Sequence, residues 1–170
     1  MRTGNRGSRE LSPADHQHLR RCVELAEAAL ADEDGPFGSV LVAADGTMLA
    51  EDRNREHTSG DPTAHPEFAL ARWAALRLTP HQRRGAVVYT SGEHCPMCSA
   101  AHGWARIGGI VYAASASQLA GWRAGSGLPA APVAVLAADD IALTVEVIGP
   151  VSPYDEQMRL LHARAAGAEP

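Results

Sequence analysis

Apolar residues at Leu19, Val23, Ala26 and Leu30 recur at steps of four, three and four, the period of a helix that buries one face. Ser12-Pro13 reads as the N-cap and first residue of that helix, because the N–H that proline lacks would have no partner there anyway. The period then shortens. Ser39 to Ala43 and Thr47 to Ala50 are short apolar runs on either side of Asp45-Gly46, a hairpin signal. The polar, turn-rich stretch from Arg53 to Ala64 reads as a loop. Pro66 to Leu78 reads as an almost wholly apolar helix carrying Phe68, Leu70, Trp73 and Leu76.

Ala86 to Thr90 is a buried-strand pattern, followed by a short loop and a helix bearing two cysteines, with Ile110 to Ala114 as the next strand. Strand, helix and strand in this order imply a right-handed parallel crossover. Gly121 to Pro132 is too rich in Gly and Pro for a regular element. Val133 to Leu136, and the alternation of Ile141, Leu143, Val145 and Val147, predict two more strands. Ser152-Pro153 opens a last helix through Met158 and Leu161. No internal repeat or second domain shows in the pattern. The expectation is a disordered leader over residues 1–11 and one α/β domain over 12–170, built on a sheet of about five strands.

Composition narrows the function. A chain of 170 residues with 45% hydrophobic content suits one ordinary globular core. No run approaches the roughly 20 apolar residues that cross a bilayer, and MRTGNRGSRE lacks the apolar region of a secretory signal. A cytoplasmic location is therefore expected. All 15 basic residues are Arg, so Schiff-base and Walker-type lysine chemistry are excluded. The net charge of -5 exerts no overall pull towards nucleic acid. Three cysteines make no disulfide framework, and Cys95 and Cys98 form a C-x-x-C that needs a chemical explanation.

His65-Pro66-Glu67 and Cys95-Pro96-Met97-Cys98 each stand at the start of a predicted helix. A proline biases the residue before it away from the helical region, so His65 and Cys95 suit N-cap positions. The positive ends of the two helices favour cysteines held as thiolates. One His and two Cys supply three protein ligands to zinc and leave a fourth position for water. Two thiolates weaken such a metal as a Lewis acid, so it needs a base nearby, and Glu67 is placed to be one. Alone, the C-x-x-C also fits a thiol–disulfide oxidoreductase, or half of a structural zinc site, although no second C-x-x-C completes the latter. A zinc-binding module without catalysis would leave Glu67 unexplained.

With these residues the sequence resembles the cytidine and deoxycytidylate deaminase superfamily, which carries an H-x-E and P-C-x-x-C signature. The resemblance runs from about residue 12 to 120 through PFGSVLV at 36–42, Asn54, DPTAHPE at 61–67, YTSGEHCPMCSAA at 89–101 and WARIGGIVYAA at 104–114. It is most similar to the branch of guanine deaminases, fungal-type cytosine deaminases and tRNA-specific adenosine deaminases. The resemblance implies a three-layer α/β/α fold with a central mixed sheet. It also implies Zn²⁺ on His65, Cys95 and Cys98, with Glu67 as the proton shuttle. Asn54 would hydrogen-bond the base, Phe37 and Trp104 would line its pocket, and Glu93 would be structural. A homodimer is expected by the same analogy. Three residues depart from the family pattern. Pro66 replaces the usual alanine, His94 the usual proline and His102 a usually apolar residue. A zinc contact from His102 would close the water position.

The expected activity is hydrolytic deamination of a free nucleobase of guanine or cytosine type, with tRNA-specific adenosine deamination as the alternative. A tRNA enzyme needs clustered cations against phosphates. From Asp139 to Pro170 the fixed positive charges are Arg159 and Arg164, against Asp139, Asp140, Glu146, Asp155, Glu156 and Glu169. Arg2, Arg6 and Arg9, with Arg83-Arg84, are the counter-argument.

Overall fold

The computed structural model describes residues 9–167, so most of the leader expected over residues 1–11 lies outside the described residues. Helix α1 (Pro13–Ala31) opens with a capping box, in which Ser12 accepts from the Asp15 backbone N–H and Asp15 accepts from that of Ser12. Strands β1 (Gly38–Val42) and β2 (Met48–Arg53) form the antiparallel hairpin, and β2 runs three residues past its apolar part. As an edge strand it shows charge to solvent at Glu51, Asp52 and Arg53. A short helix α2 (Glu56–Ser59) lies in the stretch read as a loop. Its backbone N–H groups at His57 and Thr58 donate to the distant Asp34 carboxylate, a cap that local sequence could not reveal.

Helix α3 (Pro66–Arg77) is followed by α4 (Pro80–Gly85), β3 (Val87–Gly92), α5 (Pro96–Ala105) and β4 (Gly109–Ala114). The five-stranded sheet has the order β2-β1-β3-β4-β5; β1 is antiparallel to both neighbours, and β3, β4 and β5 are parallel. It is therefore mixed.

Three sequence expectations after Ala114 are corrected. Helix α6 (Ala116–Gly125) runs into the Gly- and Pro-rich segment. A Ser115/Gln118 capping box starts it, and Leu119 and Trp122 pack on the core, which outweighs two helical glycines. Val133 to Leu136 is not a strand: Val133, Val135 and Leu136 are exposed and pair with no neighbour in the sheet. The alternation from Ile141 to Val147 splits between α7 (Ala138–Ile141) and a short β5 (Glu146–Ile148). Leu143 falls between them, exposed. Helix α8 (Tyr154–Ala165) closes the fold.

Period-two alternation in the strands buries both faces of the sheet. Val40, Val42, Tyr89, Val111 and Ala113 face α1 and α8, where Leu19, Val23, Ala26, Met158 and Leu161 meet them. Leu41 and Val88 face the other way, onto Leu70, Ala71 and Ala74 of α3 and Ala105 of α5. Each large buried side chain contributes about 1.5–3 kcal/mol. The result is α/β/α, with α3 and α5 in one layer and both beginning at the same end of the sheet. Gly38 lets α1 press on β1, since a Cβ there would lie 2.4 Å from that of Leu25. Among the described residues no helix is long and apolar enough to cross a membrane.

Candidate active site

His65 caps α3 and Cys95 caps α5, each extended and each followed by a proline, as their sequences require. The His65 side chain does not cap its own helix, and the Cys95 sulfur meets Cys98 in the first turn of α5. His65 and Cys95 turn towards each other. His65 Nδ1 lies 3.6 Å from Cys95 Sγ and 3.6 Å from Cys98 Sγ, and the two sulfurs are 3.5 Å apart. A tetrahedral zinc with Zn–S near 2.3 Å and Zn–N near 2.05 Å sets N···S edges of about 3.6 Å and an S···S edge of about 3.8 Å. The donor set fits that metal in chemistry and in span. The Cys98 thiol donating to Cys95, with His65 beside it, brings Cys95 down to about 4, whereas the same contact and burial push Cys98 up. Contact with Cys95 raises His65 to about 9. Without a metal, Cys95 and His65 thus form a thiolate–imidazolium pair, and a metal would displace the protons of His65 and Cys98.

Glu67, in the first turn of α3, is buried at 4% exposure. Its Oε1 accepts from the Thr90 hydroxyl at 2.9 Å, and its Oε2 lies 3.8 Å from Cys98 Sγ. Ser39 in turn donates to Thr90 at 2.8 Å. Burial raises the Glu67 carboxyl above its ordinary range, opposed by the neighbouring His65.

Asn54 is buried just past β2; its Nδ2 donates to Glu56 Oε2 at 2.6 Å, and its Oδ1 accepts from the Glu56 N–H at 3.0 Å. Phe37 stands beside it, for the Asn54 N–H donates to the Phe37 carbonyl at 3.0 Å. The Phe37 ring lies over Gly92, where a Cβ would come within 3.0 Å of it, and meets His162 edge-on at 5.1 Å. Trp104 is not brought to this cluster. It is 89% exposed in the last turn of α5, nine residues past Cys95, roughly 13 Å at 1.5 Å per helical residue. The sequence match placed it on the right helix but at the end away from the donors.

Glu93 accepts from the Ala116 N–H at 2.8 Å and the Ala138 N–H at 2.9 Å, so its carboxylate is committed to backbone. His102 is outside the donor cluster and packs edge-on against His94, with ring centroids 5.1 Å apart and both rings fully buried. Sequence reasoning missed Thr90, Ser39 and Glu56. A polar Thr90 at the end of a buried apolar strand was the available signal for the first, and nothing local marked Glu56.

Burial lowers His102 from 6.5 to about 3 and His162 from 6.5 to about 4. Below pH 6.5 the unfolded chain takes up protons that these folded imidazoles refuse. Stability is therefore fully present above that pH and lost as the pH falls towards the folded values, by up to about 1.4 kcal/mol per pH unit for each group. The expected result is that His102→Leu narrows the fall in melting temperature between pH 7 and pH 5. Equal falls in variant and wild type would refute the assignment.

The α/β/α sandwich thus sets a buried carboxylate beside two thiols and an imidazole that could hold a metal ion. Residues 12–114 match the family described as the cytidine and deoxycytidylate deaminase zinc-binding region, and the chain belongs to that family. It is 45% identical over 103 residues to a guanine deaminase of Bacillus subtilis, a match covering 60% of this chain and 65% of that protein. A tRNA-specific adenosine deaminase of Agrobacterium fabrum is 41% identical over 103 residues, covering 59% of this chain and 66% of that protein. The matched region thus spans just under two thirds of each relative. In fold, the guanine deaminase structure from Nitrosomonas europaea superposes with a TM-score of 0.73 over 96% of this chain and 90% of its own, at 20% identity.

Proposed function

We propose that the protein is a zinc-dependent aminohydrolase acting on a free nucleobase of guanine or cytosine type. The observation that carries this reading is the buried Glu67 carboxylate 3.8 Å from Cys98 in a donor trio of zinc dimensions. His65, Cys95 and Cys98 would hold Zn²⁺, which when bound supplies Lewis acidity towards water. Glu67 takes the proton of the attacking water as the new C–O bond forms at the amino-bearing ring carbon, and delivers it to the adjacent ring nitrogen. It then takes the remaining proton from the newly attached hydroxyl and passes it to the amine as the C=O bond forms and the C–N bond breaks, so water is consumed and ammonia released. Thr90 fixes Oε1, which leaves Oε2 on the side of the donors. A carboxyl raised by burial is suited to hold a proton between these steps. Asn54 orients the base and Phe37 covers its face.

Charge supports the free base over tRNA. Arg159 on α8 is paired with Glu156 at 2.7 Å. Arg83 Nη1 is turned onto the carbonyls of Ala75 and Leu78. These two guanidinium groups are already engaged within the fold, which weakens any hold they would have on phosphates. A homodimer and a cytoplasmic location belong to the same reading, and the exposed Trp104 indole supports the dimer. The decisive experiment compares ammonia release from guanine, cytosine and their analogues with inosine formation in an anticodon stem-loop. Release from one of the bases is expected. Editing of the stem-loop with every free base inert would transfer the site to tRNA. Protein without zinc that reduces disulfides would instead point to a thiol–disulfide oxidoreductase.

A further inference from the structure

We infer that Glu56 is a positioning residue that sets the metal ligand His65 and the base-holding Asn54 as one unit; the Asn54 arm rests on the function proposed above. The carboxylate lies between the two side chains. Its Oε2 accepts from Asn54 Nδ2 at 2.6 Å, and its Oε1 lies 3.5 Å from His65 Nε2. The His65 nitrogen facing the two sulfurs is Nδ1, so a metal there leaves the ring proton on Nε2, facing an acceptor. A carboxylate on the outer nitrogen fixes the tautomer and the ring orientation of a metal-bound histidine. The Glu56 N–H also donates to Asn54 Oδ1 at 3.0 Å. A flipped amide would set an oxygen against the carboxylate, so one orientation of Asn54 is enforced.

Glu56 is itself held from outside the site. Asp34, buried at 4% exposure, accepts from the N–H groups of His57 and Thr58 and from the Thr58 hydroxyl. The Arg55 N–H donates to the carbonyl of Ala64, next to His65. The turn therefore presents the carboxylate already in place. Because the Glu56 side chain is 38% exposed, its attraction to His65 is screened, and its effect is orientational.

The two arms separate by substitution. In Glu56→Gln the amide oxygen can still accept from Asn54, but the amide NH₂ faces the Nε2 proton, so only the His65 arm is broken. Glu56→Ala breaks both. The measurement is zinc release from the purified, zinc-loaded full chain to a chromogenic chelator, without substrate, beside KM and kcat for the base that is deaminated. Both variants are expected to lose zinc about 10–100-fold faster than wild type, with KM raised about 10-fold in Glu56→Ala and near wild type in Glu56→Gln. Thr58→Val removes only the hydroxyl bond to Asp34 and leaves the His57 and Thr58 N–H groups holding the turn, so it should release zinc only slightly faster than wild type. Wild-type release from Glu56→Gln overturns the inference, as does acceleration in Thr58→Val equal to that in Glu56→Gln. Should Glu56→Ala not fold, Glu56→Gln alone decides the His65 arm. If no base is deaminated by wild type while both variants still shed zinc faster, the His65 arm stands and the proposed function falls. A chain that takes up no zinc overturns both.

Discussion

Replacing Glu67 by Gln should lower turnover by about 10²–10⁴ while leaving zinc content and fold intact. The amide keeps the size of the side chain and can still meet the Thr90 hydroxyl that now lies 2.9 Å from Oε1. It cannot take up a proton from water or return one to a ring nitrogen. The corresponding loss of about 3–5 kcal/mol of transition-state stabilisation falls on kcat, whereas binding of the base should persist. Zinc content by elemental analysis, beside a single-turnover ammonia assay, checks both halves. A Glu67→Gln enzyme with most of its rate would remove the carboxylate from its assigned role. His94, which directly precedes Cys95, is fully buried against His102, with its imidazole pushed well below 6.5. It is poorly placed to substitute.

The second large effect is expected from the double substitution Cys95→Ala, Cys98→Ala, in which metal and activity should vanish together. Each sulfur forms one corner of a trio whose spacings are 3.5–3.6 Å, and His65 alone is no zinc site. Restoring excess zinc should not restore turnover. Full zinc occupancy in the double variant would place the metal elsewhere in the chain. Because a structural metal also contributes to folding, the melting temperature should drop towards that of the chelator-treated wild type and no further. That comparison separates loss of metal from damage to α5.

Much of the site was legible because proline writes its geometry into the sequence. Pro66 and Pro96 restrict the backbone of the residue before them to an extended conformation, which sets His65 and Cys95 at the mouths of α3 and α5. The N-cap at Ser12 was equally readable, and the capping-box signature at Thr79/Gln82 and Ser115/Gln118 would have revealed α4 and α6. The strands beyond Ala114 were misread for a different reason. Local hydrophobicity predicts a strand only if a neighbour is there to pair with it, and β4 offers its free edge only to the three residues Glu146–Ile148. Asp34 was invisible because its work is done across the fold, at a turn 23 residues away; Glu56 was invisible because a charged residue in a polar loop looks like any solvated one. Trp104, matched by position to a pocket wall, lies on the surface of the single chain, at the end of α5 away from the donor trio.

The carboxylate of Glu93 receives one backbone N–H from Ala116 and one from Ala138. Topologically, the chain between them is a ring closed by a single side chain two residues before Cys95. Whatever happens within the ring leaves the closure point untouched, provided both N–H groups still reach it. Closing a longer ring costs little, only about 0.6 kcal/mol for each doubling of a flexible loop. The stretch 126–137, which lies inside the ring and outside any helix or strand, can therefore lengthen, shorten or change composition while the donor trio keeps its spacing. Evolution and protein engineers are handed the same freedom: a variable insert hung from a fixed hook, on a scaffold whose chemistry does not have to be rebuilt each time.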